Sequence, residues 1–266
     1  MDPFFYMVII AGAIAGASTS LLGVYIVGMR MPFIGTCISH AAMAGTIFAI
    51  AAGINGTVGA IVFSMATSLS LTMLRPEKLR VDTNVGLAIL FSLMLGLTFL
   101  GMGLVEGSRA EVLGLLWGSI LFVRETTVFV IAAMTCMLMV FCVLFNKELK
   151  TILFSRAMAA ATGVHETVVY GLFLALCGLI LSVNLKIIGG LMIFSLMINP
   201  AAAAYQICRG HKAVVLTATL LGMFTAIAGF LFSFYFDLPT GACIVVVSAV
   251  VFALAAGYRT FLGGAD

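Results

Sequence analysis

The most constraining feature of this chain is a series of nine long apolar stretches that contain no Asp, Glu, Lys or Arg. Each stretch is long enough to cross a hydrocarbon layer of about 30 Å as a helix. A helix also satisfies its own backbone hydrogen bonds, which a bilayer interior requires. The sequence therefore predicts a single-domain, all-α polytopic membrane protein over residues 1–266, with about nine transmembrane helices. The predicted spans are 4–28, 34–53, 55–74, 83–104, 126–145, 167–185, 187–208, 213–236 and 238–258.

The composition of the chain excludes a soluble globular protein and a disordered protein. Apolar residues make up 63% of the chain and charged residues 9%, whereas soluble domains average about 45–50% and about 25%. The same values exclude intrinsic disorder. The chain has no GxxxxGK[ST] phosphate loop, so we do not expect it to hydrolyse nucleotide by that route or to be an enzyme. Lipid is the expected surrounding, and no nucleic-acid partner is expected.

Basic residues predict the orientation. With the N-terminus outside and the C-terminus inside, ten of the 13 Lys and Arg residues fall on the cytoplasmic side, as the positive-inside rule favours. The apolar segment 111–123 has only 13 residues, too few to span a bilayer comfortably. We predict a re-entrant or outer surface helix there. A short tilted span remains the alternative.

His40 is the only histidine inside a predicted span. An imidazole is costly in lipid, so His40 is expected to face the bundle interior or a water-filled path. Thr36 precedes it by one helical turn, and Cys37 lies three residues away. Imidazole nitrogen, hydroxyl and thiolate are all metal ligands, which makes these three residues candidates for a cation site. The alternative is a hydrogen-bonded histidine that serves packing alone.

Further polar residues are candidates for lining a path, namely Ser39 beside His40, and Ser195 and Asn199 in the seventh span. Pro200 cannot donate a backbone hydrogen bond, so it frees a carbonyl one turn earlier, near Leu196. Interrupted helices at membrane depth often line a cavity. A kink satisfied by neighbouring helices is an equally good interpretation.

The loop 146–166 is the longest predicted inside loop and has room for a helix of its own. Its apolar residues would form one face, and Gly163 suits a helix end. Such a helix under the membrane would be a docking element. A simple interfacial helix without a partner is the alternative.

Five sequence blocks in order resemble the permease subunits of metal ABC importers, the zinc, manganese and iron type. Each block alone is weak, but their order and spacing cover nearly the whole chain. The blocks are 29–35 (MRMPFIG) running into 39–41 (SHA), 81–86 (VDTNVG), 116–119 (LWGS), 186–191 (KIIGGL) running to 200–204 (PAAAA), and 237–241 (DLPTG).

The resemblance implies a subunit of the cytoplasmic (inner) membrane of a prokaryote that moves a divalent transition metal ion. It implies a homodimer, two cytoplasmic ABC ATPase subunits and an extracytoplasmic solute-binding protein. No permanently bound cofactor is expected. It also implies that 150–164 is a coupling helix that fits a groove on the ATPase. The candidate coupling residues are Phe154, Ser155, Arg156, Ala157, Met158 and Gly163.

The chain departs from the resembled family at one important position. In that family an acidic residue commonly precedes the histidine by four positions, and here that position is Thr36. Without the carboxylate, fewer charges would offset a dication. One alternative is therefore an importer of a metal chelate or another small molecule. A secondary transporter driven by an ion gradient is a second alternative, and a non-transporting scaffold is a third.

Overall fold

The computed structural model describes residues 3–73, 82–105 and 125–262, and these residues form α-helices with no strand among them. Eight of the helices have the length and apolar composition to cross a membrane, and α9 is a shorter apolar helix at the place of the remaining predicted span. The predicted fold class is confirmed. The helices are α1 (Pro3–Gly28), α2 (Phe33–Ala51), α3 (Gly56–Met73), α4 (Thr83–Leu104), α5 (Glu125–Leu144), α6 (Asn146–Phe154), α7 (Arg156–Ala161), α8 (Glu166–Ile188), α9 (Gly190–Ile207), α10 (His211–Phe236) and α11 (Thr240–Leu262).

Two predictions fall on other parts of the chain. The re-entrant or surface helix at 111–123 lies outside the described residues, and so do Arg75, Lys78 and Arg80, three of the ten basic residues predicted to be cytoplasmic.

Helices α2, α3 and α8 pack closely and are called the α2 group below. Gly45 of α2 and Gly59 of α3 face each other so closely that a Cβ on either would meet the backbone oxygen of the other. Ser68 of α3 donates a hydrogen bond to the Leu174 carbonyl of α8 at 2.9 Å. Because lipid supplies no hydrophobic force between helices, such small-residue contacts and interhelical hydrogen bonds hold the group together.

Helices α1, α9, α10 and α11 form a second set, called the α1 group. Gly16 of α1 and Gly222 of α10 make the same kind of reciprocal backbone contact. Ser20 of α1 donates to the Leu196 carbonyl of α9 at 3.2 Å. This is the carbonyl that Pro200 was expected to free, and α1 supplies its hydrogen bond. The carbonyl freed by Pro200 is thus satisfied by a neighbouring helix.

The two groups are joined by two short connections with unusual backbone. Gly189, between α8 and α9, has φ of 89°, and Arg30, between α1 and α2, has φ of 58°. Positive φ is readily adopted by glycine and is uncommon for arginine. Helix α4 packs on α2, and α5 packs on α1 and α8.

The Gly45–Gly59 contact gives a stability prediction. Gly45→Ala should lower the free energy of unfolding by about 1–3 kcal/mol, because the added methyl would overpack against the α3 backbone. Gly96→Ala is the matched control, since a Cβ there meets no atom within 4 Å. Thermal unfolding in detergent measures both. Equal melting temperatures for the two variants would contradict the proposed tight α2–α3 contact.

Candidate functional site

The predicted cation-site residues lie on α2, which is enclosed by other helices along most of its length. Thr36 is 6% exposed and His40 is 3% exposed. Gly35 packs against the Met197 side chain of α9, whereas the His40 ring packs against Phe91 of α4. Thr36 and His40 therefore occupy the strip of α2 that lies between α4 and α9.

One ring nitrogen of His40 is used within α2 itself. Nδ1 lies 3.0 Å from the Thr36 carbonyl oxygen, which assigns the proton to Nδ1 because a carbonyl only accepts. The tautomer then leaves Nε2 with a free lone pair, the form in which imidazole binds metals. Ser39 also donates to the Thr36 carbonyl, at 3.0 Å, and lies 3.5 Å from Nδ1. Ser39 thus supports the ring orientation.

The other polar atoms of this strip are buried and unsatisfied. Within the described part of the chain, neither His40 Nε2 nor Thr36 Oγ1 has a hydrogen-bond partner. Leaving a buried polar atom without a partner costs about 1–3 kcal/mol, so such atoms are uncommon and call for an explanation. Two of them one helical turn apart, on one face, are the geometry expected of a ligand site.

Cys37 does not join this pair. Its Sγ donates to the Leu87 carbonyl of α4 at 3.0 Å, so the thiol points at the α4 backbone. Cys37 was predicted as a ligand together with Thr36 and His40, but consecutive helical residues differ by about 100° in direction. Its thiol is occupied by a contact between helices.

Phe91 was not predicted and is the residue that covers His40. The two rings meet edge to face, with centroids 4.8 Å apart and planes at 87°. The helical spacing Leu87–Phe91 on α4, opposite Cys37 and His40 on α2, shows that the two helices run side by side here. Many phenylalanines lie in the apolar stretches, so the sequence alone could not single out Phe91 as the residue that covers His40.

The path candidates on α9 face a different neighbour. Asn199 donates from its side-chain amide to Ser248 of α11 at 3.0 Å, which turns it towards α11. Ser195 and Asn199 are half-buried and share a face of α9, because they are four residues apart. The structure shows no hydrogen bond between Asn199 and the Thr36–His40 strip among the described residues.

Residues 150–164, predicted as one docking helix and called the docking segment below, form the end of α6 and the whole of α7, so they make two helices where one was expected. Ser155 has extended backbone, with φ of −168°, and ends α6. Its hydroxyl then accepts a hydrogen bond from the Met158 amide and caps α7. A serine N-cap favours a new helix start over continuation. Gly163, with φ of 80°, follows α7 as expected of a residue that ends a helix.

Most of the exposed residues of the docking segment are apolar. Phe154 is 85% exposed and Met158 is 56% exposed, and Ala157 and Ser155 are exposed beside them. A cavity of about 470 Å³ lies next to Phe154, partly lined by Met29 and Met31. Arg156 differs from its neighbours, because its side chain turns inward and is 15% exposed.

The fold and site together define a helical transport protein of the membrane with a buried imidazole between its helices. A family model described as "ABC 3 transport family" matches residues 1–259. The chain belongs to this family and is a permease of the metal-type ABC importer class. The gradient-driven transporter and the scaffold considered from the sequence are thereby excluded.

Several relatives are similar over nearly the whole chain. "Manganese import system permease protein ScaB" of Streptococcus parasanguinis is 30% identical and covers 91% of this chain and 84% of that protein. "High-affinity zinc uptake system membrane protein ZnuB" of Haemophilus influenzae is 25% identical, covering 96% and 97%. Among solved structures, "PsaBC from Streptococcus pneumoniae in complex with Fab" shares the fold, with a TM-score of 0.84, 22% identity and coverage of 98% and 95%.

Proposed function

We propose that this permease moves a divalent transition metal ion along the strip between α4 and α9, past Thr36 and His40. The observation that carries the proposal is the pair of buried, unpartnered atoms, His40 Nε2 and Thr36 Oγ1. A passing cation would supply the missing interaction for both. Relatives named for manganese and zinc transport support a cation of this class.

The donor set fits transient contact better than tight storage. An imidazole and a hydroxyl are both neutral, and the described residues contain no cluster of three or more His, Cys, Asp or Glu side chains able to hold a metal. Transport requires an ion to enter and also to leave, so modest affinity at each step is favourable. Two copies of the chain would present two such imidazoles.

Assembly and orientation follow the same proposal. Two permeases, two cytoplasmic ABC ATPases and an extracytoplasmic binding protein form the importer in a prokaryotic cytoplasmic membrane. The N-terminus lies outside, so the end of the bundle that carries Arg30 and the docking segment is cytoplasmic. Phe154 and Met158 pack into a groove on the ATPase, and it is the ATPase subunit that hydrolyses nucleotide. The exposed apolar surface of the docking segment supports this contact.

A metal chelate is the second candidate cargo. The observation in its favour is Thr36 itself, because a chelate brings its own anionic ligands and needs no carboxylate from the permease. His40 would then contact an already neutralised metal.

Reconstitution distinguishes the two cargos. The permease, its ATPase and the binding protein are placed in liposomes, and ATP-dependent accumulation of Mn²⁺, Zn²⁺ and a chelated metal is measured by elemental analysis. Accumulation of the bare ions supports the proposal. Accumulation of the chelate alone supports the second candidate, and no metal accumulation in either form would overturn both.

A further inference from the structure

Among the contacts of Arg156, the first residue of α7, three join it to described residues of the transmembrane helices α3 and α8. Its Nε donates to Glu166 Oε2 at 3.0 Å, and the two side chains are 15% and 13% exposed. Its guanidinium carbon lies 4.2 Å from the centre of the Tyr170 ring. A terminal nitrogen lies 3.5 Å from the Thr72 carbonyl oxygen. The guanidinium is thus held on three sides by the transmembrane bundle.

The three contacts lie at the ends of two long helices. Thr72 lies near the last described residue of α3, and its backbone carbonyl oxygen can accept a hydrogen bond from a guanidinium. Glu166 is the first residue of α8, and Tyr170 is one turn further along. A planar guanidinium can pair with a carboxylate, stack on a ring and reach a carbonyl at once, whereas an ammonium cannot.

These helix ends belong to a tightly joined unit. Between α3 and α8, the Ser182 hydroxyl donates to Ser64 Oγ at 2.8 Å, in addition to the contact between Ser68 and Leu174. Near the Arg156 end, a Cβ on Gly171 would lie 2.9 Å from Thr72. Helix α2 is held against α3 by the close contact between Gly45 and Gly59. A displacement at the end of α3 and α8 therefore moves α2, and with it His40.

The other wall of the proposed path belongs to the α1 group. Helix α9, which contacts α2 at Gly35 beside Thr36, packs against α1 and α11 and is joined to α8 through Gly189. A shift of the α2 group relative to the α1 group therefore changes the spacing at the strip. Rigid-body motion of packed units is a common form of such transitions.

From this geometry we infer that Arg156 is a positioning residue for transport: it fastens the docking segment to the ends of α3 and α8, so that movement of the docking segment reaches the helix that carries His40. The inference rests on the proposed function. It assigns ATPase contact to the exposed Phe154 and Met158, and transmission to the inward-facing Arg156.

The test measures metal ions accumulated per ATP hydrolysed in the reconstituted complex. Arg156→Gln should keep its ATPase partner and still hydrolyse ATP, but move about tenfold less metal per ATP, within the 5–150-fold range of typical coupling between sites. Arg156→Lys keeps the charge but loses the stacking and fork geometry, so it should fall between Gln and wild type. Exchanging the pair, with Arg156→Glu and Glu166→Arg together, should recover part of the lost ratio.

Lys147→Gln is the matched control, since Lys147 is an exposed cation on α6 outside the docking segment. It should leave the ratio unchanged. An unchanged ratio in Arg156→Gln would overturn the inference. So would loss of ATPase co-purification in both the Gln and Lys variants, which would make Arg156 a docking contact. A fall in uptake and hydrolysis by the same factor would show a structural role only. Failure of the wild-type complex to accumulate metal would instead refute the proposed function.

Discussion

Replacing His40 with alanine is expected to lower ATP-dependent metal accumulation by about tenfold or more, while the complex still assembles. His40 Nε2 is the one unpartnered nitrogen of the Thr36–His40 strip. Even mutation of a residue that only hydrogen-bonds to a metal ligand typically lowers metal affinity or activity by about 10–100-fold. The His40→Ala variant removes the Nε2 ligand atom and leaves an empty space about the size of the imidazole ring. Uptake into liposomes, measured by elemental analysis, gives the result directly.

Thr46→Ala is the control for this prediction. Thr46 is also a buried polar residue of α2, but its hydroxyl donates to the Ala42 carbonyl at 2.9 Å and is satisfied within the helix. The control should transport normally. If His40→Ala transports as well as Thr46→Ala does, His40 is a packing residue and the path lies elsewhere.

The second large effect is expected at the docking segment. Met158→Asp should release the ATPase from the permease and reduce uptake to background, because it places a carboxylate in a contact that we propose to be apolar. Burying an unpaired charge in an interface costs about 3–5 kcal/mol, which is equivalent to a loss of affinity of more than about 100-fold. Folding should be unaffected, since Met158 is 56% exposed. Co-purification of the ATPase with the tagged permease measures the effect.

Thr260→Asp provides the comparison. Thr260 is exposed near the end of α11, and Arg259 beside it contacts Gln206 at the end of α9, so it lies at the same end of the bundle as the docking segment. It introduces the same charge outside the proposed ATPase contact. Retention of the ATPase by both variants would mean that docking does not depend on the Met158 surface.

Much of the fold follows from the sequence because the bilayer imposes a length and forbids charge. The nine apolar stretches, the freed carbonyl before Pro200 and the helix end at Gly163 were all predictable from residue type and spacing. His40 was identifiable for the same reason, since a polar group in an apolar stretch must be accounted for.

The directions of side chains were not predictable. These helices are apolar on every side, so their periodicity does not show which face meets which neighbour. For that reason the sequence placed Cys37 with His40, although its thiol bonds to the Leu87 carbonyl, and it missed Phe91 altogether. The resemblance implied a coupling role for Arg156, but the sequence did not show that its side chain turns inward. Only the approach of α3 and α8 brings Thr72, Glu166 and Tyr170 around it.

The absence of Asp, Glu, Lys and Arg from the nine apolar stretches has an electrical consequence. A membrane voltage does work of about 2.3 kcal/mol per elementary charge and 100 mV. Within these stretches an unloaded permease offers the voltage no charged side chain to act on, so we expect resetting between cycles to depend little on whether vesicles are polarised or depolarised. If the cargo is a bare dication, as proposed, the loaded step would gain from a negative interior.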